Sequence, residues 1–123
     1  TDLDIPRGSE HSLPYTVAAG ASVCWEFRIK DRDIGFALRV REQGEGGAYE
    51  RDLIPMRRYP AGDKYQGQWT VDGEGDRQIM LVWDNTYSKL RGKMLAYRSQ
   101  VLKPGHSVYV SPSNSSSATA DAA

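Results

Sequence analysis

Strict alternation of apolar and polar side chains in the middle of the chain, glycine-rich breaks at close spacing and the lack of any helical periodicity predict an all-β protein. The expected architecture is a two-sheet antiparallel β-sandwich, jelly-roll-like, of about eight strands. The alternation is plainest over residues 21–30. There Val23, Trp25, Phe27 and Ile29 fall on one side and Cys24, Glu26, Arg28 and Lys30 on the other, the pattern of a half-buried strand. Residues 34–42 repeat it, with Ile34, Phe36, Leu38 and Val40 facing in and Arg39 and Arg41 facing out. Asp31-Arg32-Asp33 connects the two. If they pair directly as a hairpin, matching the buried faces requires an even number of loop residues, because a slip of one turns every side chain over.

Further strands are predicted at 48–56, 65–71, 77–83, 93–102 and 107–110, with a weaker one at 13–17. Gly44, Gly46 and Gly47, then Pro60-Ala61-Gly62-Asp63, then Asp72-Gly73-Glu74-Gly75-Asp76 separate them as turns. Residues 1–110 read as one sandwich domain. Residues 111–123, made of Ser, Ala, Asn, Thr, Asp and one Pro, bury too little apolar area to offset chain entropy and read as a disordered tail or linker.

Bulk composition narrows the function classes. A chain of 123 residues fits one domain with one core. Its 16 basic residues balance 16 acidic ones, so no overall field drives it onto nucleic acid or an anionic membrane, and charged recognition must be local. The single cysteine, Cys24, leaves no intrachain disulfide, which places a small all-β domain most simply in the reducing cytosol. No run approaches the roughly 18 apolar residues of a spanning helix, and no signal peptide opens the chain. It begins on Thr1 without a methionine and reads as a piece of a longer protein.

The stretch Trp83-Asp84-Asn85-Thr86-Tyr87-Ser88-Lys89-Leu90 ends one strand and sets up the next. Asp84 and Asn85 break strands and are expected to bond nearby backbone amides. Thr86, Tyr87 and Leu90 hold the corner against a core. Such polar groups fix backbone shape and contain no activated nucleophile, acid–base pair or metal ligand set.

Taken with Val23-Cys24-Trp25-Glu26-Phe27, Asp33-Ile34-Gly35-Phe36 and the later Lys93-Met94-Leu95-Ala96-Tyr97, that corner resembles the GOLD (Golgi dynamics) domain, over about residues 5–102. The resemblance implies a compact β-sandwich that serves in protein–protein contacts, cargo selection and membrane trafficking. Lumenal p24 cargo receptors of this family carry a cysteine pair. Cytosolic members, among them Sec14-like lipid-transfer proteins and a Golgi adaptor with an acyl-CoA-binding domain, do not depend on one, and Cys24 alone resembles their pattern. The implied location is cytoplasmic, peripheral at Golgi or endosomal membranes.

Each candidate site has a structural and a functional reading. Trp25, Phe27, Phe36 and Trp83 are placed to line a ligand cavity, yet their period of two is what core packing demands. Burying each ring contributes on the order of 2–3 kcal/mol, which a small sandwich needs. Trp69, with Tyr59 and Tyr65, lies in a less regular stretch and is the aromatic expected to be exposed for a partner. Arg28, Lys30, Arg39 and Arg41 read as outward on two neighbouring segments, and Arg57 with Arg58 as opening a loop toward Lys64, a cluster suited to lipid phosphates. Interspersed Glu26, Glu42, Glu50 and Asp52 favour an ordinary solvated face instead.

His11 and His106 lie far apart and with one cysteine supply no zinc set, so both read as surface residues. Asp31-Arg32-Asp33-Ile34-Gly35 lacks the third oxygen ligand and the terminal Glu of a calcium loop. No serine sits in a nucleophile elbow. No metal, cofactor or catalytic residue is predicted, and nucleic acid is not an expected partner. The reading is a non-catalytic protein–protein interaction module of a cytosolic membrane-trafficking or lipid-transfer protein, with another protein as partner. The alternatives are a lipid or sugar carrier binding between the sheets, or weak phosphoinositide docking at an anionic membrane through the basic face.

Overall fold

The computed structural model describes residues 1–88 and 91–104, and the strand expected at 107–110 and the tail at 111–123 lie outside them. Eight strands run in chain order: β1 (Asp2–Ile5), β2 (Glu10–Val17), β3 (Ser22–Ile29), β4 (Asp33–Gly44), β5 (Gly47–Pro60), β6 (Lys64–Thr70), β7 (Arg77–Asp84) and β8 (Lys93–Leu102). They form two antiparallel four-stranded sheets, ordered β1-β8-β3-β6 and β2-β7-β4-β5. The predicted all-β sandwich is the observed fold. β1 was not anticipated. Its Asp-Leu-Asp-Ile alternation is regular, but four residues are too few to separate a strand from a loop by pattern.

The hairpin considered for residues 21–42 does not form. β3 pairs with β6 and β8, β4 pairs with β5 and β7, and the chain between them crosses from one sheet to the other. The reason lies in the inward rows. A hairpin would set the apolar faces of β3 and β4 side by side, whereas the crossing brings them together, so that Phe27 meets Phe36 at 4.8 Å between ring centroids and Trp25 meets Phe36 at 6.0 Å. Arg32, in the crossing, takes a left-handed backbone conformation with φ of 60°.

β5 extends past the expected end at Met56 to Pro60. Two irregularities against β4, around Phe36–Leu38 and Leu38–Arg39, each accommodate one more residue on β5 than on β4. Arg57 and Arg58, expected to open a loop, therefore continue the ladder opposite Phe36 and Gly35. Pro55 is tolerated because β5 is an outer strand with one side unpaired.

The core is one cluster drawn from the inward rows of both sheets, with Trp83, Phe27, Ile34, Leu38, Leu81 and Leu95 almost wholly removed from solvent. The Trp83 ring stands edge-on to Phe27 at 5.8 Å and lies 5.1 Å from Tyr97, spacings typical of aromatic packing. His11, read as a surface residue, is half-buried in β2 with its ring 6.5 Å from Trp83. Cys24 belongs to the outward row of β3 yet is buried, its thiol donating to the Gln100 carbonyl at 3.5 Å, and burial pushes its pKa up. Phe27 touches more of these rings than any neighbour in β3. Phe27→Ala is expected to cost about 3–5 kcal/mol, read as a lower urea midpoint with unchanged slope.

Candidate interaction site

The corner after β7 is built on Asn85, which is fully buried. Its amide donates to the Ser9 carbonyl at 2.8 Å, and its carbonyl accepts from the amides of Gly8 (3.0 Å) and Ser88 (3.1 Å). The side-chain Nδ2 donates to the carbonyls of Ile5 (3.1 Å), Pro6 (3.3 Å) and Arg91 (3.1 Å). One side chain thus fastens the β1–β2 connection to the β7–β8 connection. Asp84 behaves as expected, its Oδ1 accepting the Thr86 amide at 3.2 Å. Asn85 differs from expectation, because its side chain serves backbone carbonyls rather than amides. An ionised Asp in its place could only accept, whereas the Asn amide nitrogen donates, and two loops meeting edge to edge leave carbonyls in need of donors.

Beside this corner lies a polar cluster. Lys93 is buried, its side chain 3% exposed, and its Nζ donates to the Asp33 carbonyl (3.1 Å), Asp33 Oδ1 (3.3 Å) and the Tyr87 hydroxyl (3.3 Å). The Tyr87 hydroxyl donates to Asp33 Oδ1 at 2.6 Å and to the Asp33 carbonyl at 3.1 Å. The Arg58 guanidinium sits 3.5 Å above the Tyr87 ring. The Tyr87 hydrogen bond, with help from Lys93, holds the Asp33 carboxyl below its usual range. Burial and then the Asp33 carboxylate push the Tyr87 hydroxyl well above its own.

Asp33 and Lys93 were not singled out from sequence. The signal was present, since Lys93 shares its side of β8 with Leu95 and Tyr97, an inward position for a lysine. Around the cluster Arg32, Pro60, Ser88 and Arg91 border an open depression of about 740 Å³. Its charges are largely engaged: Arg91 meets Asp31 at 3.0 Å, and the Ser88 hydroxyl donates to the Arg91 carbonyl at 2.9 Å. This arrangement locks a crossing point. Among the described residues no group of His, Cys, Asp or Glu is placed to hold a metal ion.

The aromatic candidates gather at the margin formed by the outer strands β5 and β6. Tyr59 and Tyr65 are half-buried, 4.9 Å apart between ring centroids and 6.0 and 5.4 Å from Phe27, and the Tyr65 hydroxyl donates to the Pro60 carbonyl at 2.6 Å. Trp69, expected to be exposed, is half-buried against the core, because it stands opposite Val23 on the inward row of β6. The large aromatic side chain most open to solvent among the described residues is Tyr49, 48% exposed, whose hydroxyl donates to Glu42 Oε2 at 2.9 Å. Sequence reasoning passed over it.

The basic candidates are dispersed. The β3–β4 crossing sends Arg28 and Lys30 to the outer face of one sheet and Arg39 and Arg41 to the outer face of the other, so they form no common patch. Lys30 pairs with Asp2 at 3.1 Å, Arg39 with Asp52 at 2.9 Å and Arg41 with Glu50 at 3.6 Å. Arg57 lies 5.9 Å from the Tyr59 ring. Mixed, paired charge on strand faces contributes little to stability and serves chiefly solvation.

Asn85→Ala is expected to cost about 1–3 kcal/mol, since it removes the donor of the buried bond to the Ile5 carbonyl and of the part-buried bonds to Pro6 and Arg91, measured by chemical unfolding. Asp33 has a pKa below the ordinary value of 3.8, so its contribution is present above that pH and disappears as the pH falls through the lowered folded value. Thermal melts of Asp33→Asn should therefore show a deficit against the wild type at pH 7 that shrinks in strong acid.

Comparison with models of known protein families finds no match to the chain. The human protein called FYVE and coiled-coil domain-containing protein 1 is 33% identical to it over 102 residues, a stretch that takes in 80% of this chain and 7% of that protein. The chain thus spans a small fraction of that protein's length.

Proposed function

We propose that the chain is a non-catalytic protein–protein interaction module of a cytosolic membrane-trafficking or lipid-transfer protein, the role its likeness to the GOLD domain implies. The observation that carries this reading is how the aromatic side chains are divided. Trp25, Phe27, Phe36 and Trp83, the rings that would line a ligand cavity, pack on one another across the sandwich. That packing weighs against a carrier holding lipid or sugar between its sheets. Tyr59, Tyr65 and Trp69 stay partly open at the β5–β6 margin, where large rings on a firm base suit a partner's apolar surface.

The polar groups at the β3–β4 crossing support the same reading. Asp33, Tyr87 and Lys93 spend their hydrogen bonds on each other and on backbone. The split of Arg28 and Lys30 from Arg39 and Arg41 leaves no single plane of positive charge for a bilayer. Likeness to a short stretch of a much longer protein fits a module that takes its task from flanking segments.

Affinity capture from cytosol with the wild-type chain and with Trp69→Ala tests the proposal. At least one protein should be recovered by the wild type and reduced roughly tenfold with the variant, the effect of losing an interface anchor. Equal recovery of every protein by both, with the variant folded, would remove the β5–β6 margin as the contact surface.

A further inference from the structure

Where β4 outruns its neighbour β7, the sheet narrows to a two-stranded ribbon. The β4–β7 ladder ends at Arg41 and Gln78, while β4 and β5 stay paired as far as Gly44 and Gly47. Every residue from 45 to 52 is exposed. The β5 half of the ribbon is held extended by its ladder with β4, so its side chains are presented on a stretched backbone rather than folded into a loop. Tyr49 stands here, 48% exposed, whereas Tyr15, Tyr59, Tyr65, Tyr87 and Tyr97 are half-buried.

The Tyr49 hydroxyl has a charged setting of its own. It donates to Glu42 Oε2 at 2.9 Å, while Glu42 Oε1 accepts from Arg51 Nε and Nη2 at 3.2 and 2.7 Å. The Glu42 bond holds the hydroxyl above its usual pKa, and the Arg51 and Arg77 guanidinium groups act on it in the opposite sense. Arg77 is anchored in turn, its Nη1 donating to the carbonyls of Glu74 at 2.9 Å and Gly75 at 3.2 Å. One carboxylate therefore restrains the phenol, and two cations stand near it. Bonds between groups this exposed open at little cost, so the ring is free to swing outward. Along the chain Glu45, Glu50 and Asp52 flank it with negative charge.

We propose that Tyr49 is a phosphorylation site, modified by a protein tyrosine kinase with a basic substrate cleft and ATP as phosphoryl donor. The extended backbone and the acidic flanks are the features such a cleft reads. In the transfer the Tyr49 oxygen bonds to the γ-phosphorus as the bond from that phosphorus to the bridging oxygen breaks. The phenol proton passes to the kinase's carboxylate base, and ADP leaves. The new group carries about −1.5 to −2 charge and cannot donate to Glu42, so attraction between the two becomes repulsion. Arg51, whose planar fork already grips Glu42, exchanges that carboxylate for the phosphate. A ribbon face of balanced charge thereby becomes anionic. The proposal rests on the cytosolic setting proposed above, where ATP is at hand, and is independent of the β5–β6 margin.

The test incubates the full chain, its Tyr49→Phe variant and a free peptide of residues 43–55 with Mg-ATP and a tyrosine kinase that prefers acidic substrates, and maps the phosphate by mass spectrometry. Tyr49 should be labelled roughly tenfold or more faster than Tyr15, Tyr59, Tyr65, Tyr87 and Tyr97, which need local opening to reach a kinase. Tyr49→Phe should lose that label. Phosphorylation of the peptide but not of Tyr49 in the chain would overturn the proposal, because the ribbon would then withhold the ring. So would labelling of neither, or preference for one of the half-buried tyrosines. On the phosphorylated chain, a phosphorus NMR titration reads the part given to Arg51: Arg51→Ala should raise the midpoint of the phosphate's second ionisation. An unchanged midpoint would overturn the exchange of Glu42 for the phosphate. Capture of partners through Trp69 is measured separately, so failure here leaves the module reading standing, and failure there leaves Tyr49 as a substrate in vitro.

Discussion

The constraint on which the rest of this molecule depends is that the apolar rows of β3 and β4, neighbours in sequence, must face each other rather than lie side by side. Phe27 against Phe36, with Trp83 set edge-on to Phe27, satisfies it. Removing these rings from water supplies the main driving force of a domain this small. Once the two strands belong to different sheets, the short chain between them has to cross the sandwich, and β8 is left free to pair between β1 and β3.

Crossing points expose backbone polar groups that no ladder satisfies, and the corner residues answer that need. Asn85 ties the β1–β2 connection to the β7–β8 connection through its own backbone and its side-chain amide. Lys93 and Tyr87 do the same for the Asp33 carbonyl at the start of β4. A buried lysine is tolerated there because its ammonium has three acceptors within 3.3 Å, so the charge is compensated locally. The polar residues that looked chemically interesting are thereby spent on architecture.

In the proposed role, recognition falls to the margin of the two sheets. The β5–β6 margin carries half-buried rings on a firm base. The outer faces carry mixed charge in cross-strand pairs such as Arg39 with Asp52, which keeps the sheets solvated without creating a one-signed field.

The residues alone determined the class of fold and most of its strands, because alternation with a period of two is a local property and survives without knowledge of partners. Val23 to Ile29 and Ile34 to Val40 announced their buried sides, and Asp84 announced its turn. Which strands pair was decided only in three dimensions, since a hairpin and a crossing bury the same rows with the same alternation. That choice separated Arg28 and Lys30 from Arg39 and Arg41, drew Trp69 inward opposite Val23, and made Arg57 and Arg58 part of a bulged strand. It also brought Asp33 to Lys93 across 60 residues of chain. Contacts between residues so far apart arise from the packing of whole sheets, and no local pattern encodes them.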